Sequence, residues 1–108
     1  MDRQILKRIP ELRKEIRKLE RAAGRTGKEL QKKKALMEKK QTELLQIEKE
    51  AREYIQSIED SDLRQIIRYR YMDGLSWQQV AARMGHRYSE ESCRKKVERF
   101  MSDRETGQ

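Results

Sequence analysis

The side chains best suited to chemistry in this chain lie between Arg87 and Arg99. Ser89, Ser92, Arg94, Lys95 and Arg99, with Arg87 and Lys96 beside them, gather hydroxyls, guanidinium forks and ammonium groups in one short stretch. Arginine and lysine donate to guanine O6 and N7 or to phosphate oxygens, and hydroxyls at a helix start bind phosphate. Glu91 divides evenly between two roles, accepting from cytosine N4 or satisfying a helix dipole, whereas Glu90 reads as dipole alone. The same inventory argues against catalysis. His86 and Cys93 are each the one residue of their type and make no metal set, and no phosphate loop or carboxylate pair sits on a recognisable scaffold. Tyr69, Tyr71 and Tyr88 lack the arginine and histidine company of a recombinase nucleophile. No catalytic residue, cofactor or metal is expected.

Two short helices must position this stretch. Ser76 followed by Gln79 is a capping box, placed just before the apolar positions Trp77, Val80, Ala81 and Met84. Gly85 ends that helix, His86, Arg87 and Tyr88 form the link, and Ser89 caps a second helix with Cys93, Val97, Phe100 and Met101 facing inward. Helix, glycine-marked turn and basic second helix make a helix-turn-helix pattern, which offers its second helix to the DNA major groove. A preceding helix over Leu63–Met72, capped by Ser61 or Asp62 and stopped at Asp73-Gly74, supplies Leu63, Ile66, Ile67 and Tyr71 as a third apolar face.

Upstream, Ile5, Ile9, Leu12, Ile16, Leu19 and Ala23 recur at alternating spacings of four and three, a coiled-coil seam. Pro10 is cheap only in a first turn, so the stable helix runs from about Pro10 to Ala23, and residues 2–9 are either a continuation across a kink, which the register of Ile5 and Ile9 favours, or a frayed end. Gly24 to Gly27 breaks the helix and Thr26 caps the next, an antiparallel partner over about residues 28–59. Leu30, Met37, Leu44, Ala51 and Ile58 recur every seven residues along it. At about 1.5 Å per residue this second helix outreaches the first, leaving Ala51, Tyr54, Ile55 and Ile58 to bury against the C-terminal unit or another subunit. A two-helix pair has little core of its own, so a homo-oligomer formed through these helices is expected.

The chain has 108 residues, with 43% charged and 34% hydrophobic, which fits solvent-exposed helices with narrow apolar stripes better than one large core. The formal charge of +8 favours an anionic partner. Residues 1–60 hold 17 basic and 12 acidic side chains, and residues 61–108 hold 10 and 7, so net charges of +5 and +3 are spread over both halves. Lys32–Lys34 and Lys39–Lys40 read first as a solvated face, with nucleic-acid contact second. No run is apolar enough for a secretory or membrane segment, so a cytoplasmic protein without a membrane partner is expected.

Residues 63–85 (LRQIIRYRYMDGLSWQQVAARMG) resemble region 4 of bacterial σ70-type factors, and residues 89–99 (SEESCRKKVER) resemble its recognition helix. With the charged helical extension, the whole is most similar to σ-region-4-like regulators of phages and prophages, the ArpU/RinA type. The resemblance implies an all-α fold: an N-terminal antiparallel helical hairpin over 1–58, a helix-turn-helix domain over 59–103 and a tail over 104–108. It implies a sequence-specific regulator that binds double-stranded DNA in the bacterial host, with RNA polymerase a further candidate partner. Its DNA-facing places fall on Ser89, Glu91, Ser92, Arg94, Lys95 and Arg99. A small terminase-like packaging protein and a polymerase-binding adaptor are the alternative readings. The link before Ser89 is about two residues longer than the family's, and nothing corresponds to a promoter-melting region.

Overall fold

The computed structural model describes residues 3–22 and 26–105, and these residues are all-α. Helix α1 spans Arg3–Arg21, α2 Gly27–Gln56, α3 Ser61–Ile67, α4 Trp77–Met84 and α5 Glu90–Glu105. A single π turn, Arg68–Met72, extends α3. Ala23, placed in the seam by the sequence, and the glycine break at 24–25 lie outside the described residues, as do residues 106–108 of the expected tail. Helix α5 runs two residues into that tail.

The caps follow local chemistry. The Thr26 hydroxyl accepts from Glu29 N–H at 3.1 Å and opens α2. Ser76 and Gln79 exchange both bonds of a capping box at 2.9 and 3.2 Å, which opens α4. Helix α3 departs from expectation, because its cap is Asp60 rather than Ser61 or Asp62. The Asp60 carboxylate accepts from the N–H groups of Asp62 and Leu63 at 3.0 and 3.2 Å. An ionised acceptor meeting two free donors at a positive helix end makes the stronger cap.

Helix α1 is continuous through Pro10, so residues 3–9 do extend it. Helices α1 and α2 lie side by side and antiparallel. Lys33 donates to Ala22 and Glu20 carbonyls near the closed end, Lys40 Nζ meets Glu15 at 3.0 Å, and Arg8 Nε meets Glu43 at 3.3 Å. The seam differs from the expected one: Leu6, Ile9, Leu12 and Ile16 are buried, while Ile5 and Leu19 are half-buried. The reason is a second neighbour. The first half of α1 packs against the π turn as well as α2, so its buried stripe is wider than a two-helix seam needs.

One core runs through the molecule. Leu6 and Ile9 of α1 and Ala51 and Ile55 of α2 join Ile58, Leu63, Ile66, Ile67, Val80, Cys93, Val97 and Met101. The stretch from Ala51 to Ile58, which outreaches α1, is therefore covered by the same chain. That removes the packing reason for expecting a second subunit. Arg13 locks the junction: its Nη2 donates to Glu48 at 2.9 Å and to the Met72 carbonyl at 2.8 Å, at the end of the π turn. The exposed large apolar residues Leu30, Leu36 and Leu45 point to different sides of α2 and form no common patch.

Candidate functional site

Helix α5 owes its placement to its ends and its inner face. The Ser89 and Ser92 side chains cap each other's backbone, Ser92 N–H donating to Ser89 Oγ at 3.1 Å and Ser89 N–H to Ser92 Oγ at 2.8 Å. Both hydroxyls are thus committed to the helix start. Cys93, Val97 and Met101 are buried, and the Phe100 ring lies 6.2 Å from that of Tyr54 on α2. Burial raises the Cys93 thiol above its usual range, which makes it a small hydrophobe and not a nucleophile. Gly85, between α4 and α5, has φ of +90°, a backbone state that only glycine adopts freely.

The eight residues singled out by the sequence separate into two groups. Lys95 and Arg99 are exposed on the side of α5 opposite Cys93 and Val97, with Glu91 and Ser92 one turn earlier. Lys95 Nζ pairs with Glu91 at 3.0 Å and Arg94 Nε with Glu98 at 3.8 Å, while Arg99 has no ion pair among the described residues. Glu91 is held below the ordinary glutamate range by its bond to Lys95. Such exposed i, i+4 pairs are weak and screened by water, so a phosphate or a base edge displaces either carboxylate at little cost.

The second group reaches the acidic start of α3, with Lys96 half-buried and Arg87 itself 78% exposed. Lys96 Nζ binds Asp60 at 2.8 Å, Arg87 reaches Asp62 at 3.6 Å, and the Tyr88 hydroxyl donates to Asp62 at 2.9 Å. The Lys96 bond holds Asp60 below the usual carboxylate range and raises the lysine in turn. Burial, then the bond to Asp62, raises the Tyr88 phenol. Asp60 and Asp62 thereby fasten the start of α3 to the link before α5 and to the middle of α5. The sequence offered Asp62 only as a candidate helix cap, and the partners of both aspartates lie dozens of residues away and carry no local signal.

At the other edge of α5, Arg94 lines an open cleft of about 390 Å³ with Lys7, Pro10, Arg70, Tyr71 and Trp77. The Arg70 guanidinium sits 4.7 Å from the Trp77 ring centre and donates to the Leu75 carbonyl at 3.0 Å. Arg70 is thus occupied in holding the turn before α4. The arrangement offers cationic donors on a convex helix face, suited to an anionic surface. Among the described residues no group of His, Cys, Asp and Glu is arranged to hold a metal ion, and no helix is long and apolar enough to cross a membrane. Comparison with protein families, curated proteins and solved structures finds no match for this chain.

Proposed function

We propose that the chain is a sequence-specific DNA-binding regulator, with α4, the Gly85 turn and α5 acting as a helix-turn-helix and α5 entering the major groove. The observation that carries this reading is the outward face of α5. Lys95 and Arg99, flanked by Glu91 and Arg94, stand exposed on a helix whose opposite face is anchored in the core. Rigid support behind a solvent-facing row of donors is what base readout needs. The likeness of residues 63–99 to σ region 4 supports the same reading and its phage or prophage setting.

The geometry also divides the roles. Arg94, Lys95, Arg99 and Glu91 are the readout set, since their ion pairs are exposed and weak. Ser89 and Ser92 fix the helix start. Lys96 orients α5 through Asp60 rather than reading bases, while the exposed Arg87, held only loosely at Asp62, stands open to a phosphate. One such face specifies only a few base pairs, so a longer site requires repeated half-sites occupied by further copies.

The test is selection of bound duplexes from a pool of genomic fragments, using the intact chain and its Lys95→Ala/Arg99→Ala variant. A shared motif enriched by the first and lost by the second is the expected result. No enrichment by the intact chain, or the same motif with both, would overturn the reading.

A further inference from the structure

The fold distributes charge in a way that the halves of the sequence conceal. Residues 14–40, the end of the α1–α2 pair remote from the short helices, hold 11 basic and 4 acidic side chains, a net +7. Residues 59–103, which include all the short helices, hold 9 and 8, a net +1. Nearly all of the chain's net charge of +8 is therefore located away from α5.

The partners sharpen this contrast. On α1, Lys14, Arg17, Lys18 and Arg21 follow one another at i, i+3, i+4 and i+7, away from the seam with α2 and exposed. On α2, Lys28, Lys32 and Lys39 fall at i, i+4 and i+11, also exposed and opposite Met37 and Leu44. Among the described residues none of these seven cations takes part in an ion pair. Arg8, Arg13, Lys33 and Lys40, by contrast, are used inside the helix pair.

We infer that this remote end of the α1–α2 pair is a second, sequence-independent docking surface for the phosphate backbone of duplex DNA. Residues 14–40 contain no aromatic side chain, which removes the stacking platform that single-stranded nucleic acid uses. The exposed leucines there, Leu30 and Leu36, stand on different sides of α2 and give no apolar face to enter a lipid surface. Reach also fits. From Ala51, the first core residue of α2, Lys39 to Lys28 lie roughly 18–34 Å outward at about 1.5 Å per residue. That is up to about one 34 Å turn of the duplex. The inference rests on the proposal that the chain binds DNA. It assigns the affinity to one end of the molecule and the choice of sequence to the other.

The experiment measures binding of the full chain to a random-sequence duplex, a selected-motif duplex, a single-stranded oligonucleotide and phosphatidylserine vesicles, between 50 and 200 mM salt as about the useful range. It compares the intact chain with Arg17→Gln/Lys18→Gln/Lys28→Gln/Lys32→Gln, exposed changes that glutamine makes without loss of helix propensity. With about 0.9 of salt slope per phosphate contact, the fourfold variant loses about three to four from the log–log slope and at least about tenfold in affinity, equally on both duplexes. The Lys95→Ala/Arg99→Ala variant loses its preference for the selected motif over random duplex, and its salt slope falls by at most about two, less than that of the fourfold variant. An unchanged slope in the fourfold variant overturns the inference, and so does a loss confined to vesicles or single strands. A drop on random duplex with no motif found for any variant upholds this surface and rejects the recognition reading.

Discussion

The two ends of this molecule handle the same cations in opposite ways. Around α5, four of the basic side chains face a carboxylate: Arg87 with Asp62, Arg94 with Glu98, Lys95 with Glu91 and Lys96 with Asp60. At the remote end of α1 and α2, eight exposed cations, Lys34 with the seven of the two stripes, face none among the described residues. Composition alone makes both regions basic. Paired cations hold geometry and release it locally, which suits discrimination. Unpaired stripes project a field, which suits attraction at a distance and falls with salt.

The contrast breaks most completely if the two ends are not one folded unit. Ile55 of α2 is buried among residues of the short helices, so Ile55→Ala costs about 2–5 kcal/mol in urea unfolding followed by circular dichroism. Because the same chain covers it, the midpoint of either protein stays constant over a hundredfold range of protein concentration. A midpoint that climbs with concentration returns the cover to a second subunit.

Next in size is the junction. Arg13→Ala removes both the Glu48 ion pair and the donor to the Met72 carbonyl, and costs about 1–3 kcal/mol through the stranded partners. Hydrogen exchange should show the π turn opening before α5 does. Equal protection of the π turn in both proteins would mean that Arg13 does not hold it.

Asp60→Ala follows, at about 0.5–2 kcal/mol for the lost cap of α3. Its pH dependence has a definite sign. Asp60 sits below the ordinary carboxylate range, so its contribution is present above that range and disappears as pH falls through the lowered value. Lys96 is raised, so its contribution is complete below the ordinary lysine range and is lost as pH rises through the raised value. Intact and Asp60→Ala proteins therefore converge in stability as pH falls, and a gap that does not narrow on acidification below the ordinary carboxylate range would place the effect elsewhere. The smallest change expected is Lys95→Ala, within about 0.5 kcal/mol in stability, because its pair with Glu91 is exposed.

Much of the helix layout was legible because caps are local. Thr26, Ser76 with Gln79, and Ser89 each announce a helix start through a side chain that bonds its own backbone. The inner face of α5 was legible for the same reason of short range, since Cys93, Val97 and Met101 repeat at helical spacing. What failed to show was decided by distant neighbours. Leu6 entered the core in place of Ile5 because α1 serves two partners, and the π turn exists where Arg13 can take the Met72 carbonyl. The candidate site divides likewise. Lys96 and Lys95 are adjacent in sequence and alike in type, and only the fold sends one to Asp60 and leaves the other outside.

A hydroxyl-radical footprint on a selected duplex tests the two-ended account most directly. The intact chain should protect a short inner segment at the motif and a second run of backbone up to about one helical turn away. The Arg17→Gln/Lys18→Gln/Lys28→Gln/Lys32→Gln variant should keep the inner segment and lose the outer one. A footprint limited to the motif in both proteins, or protection that moves with neither end of the molecule, would contradict it.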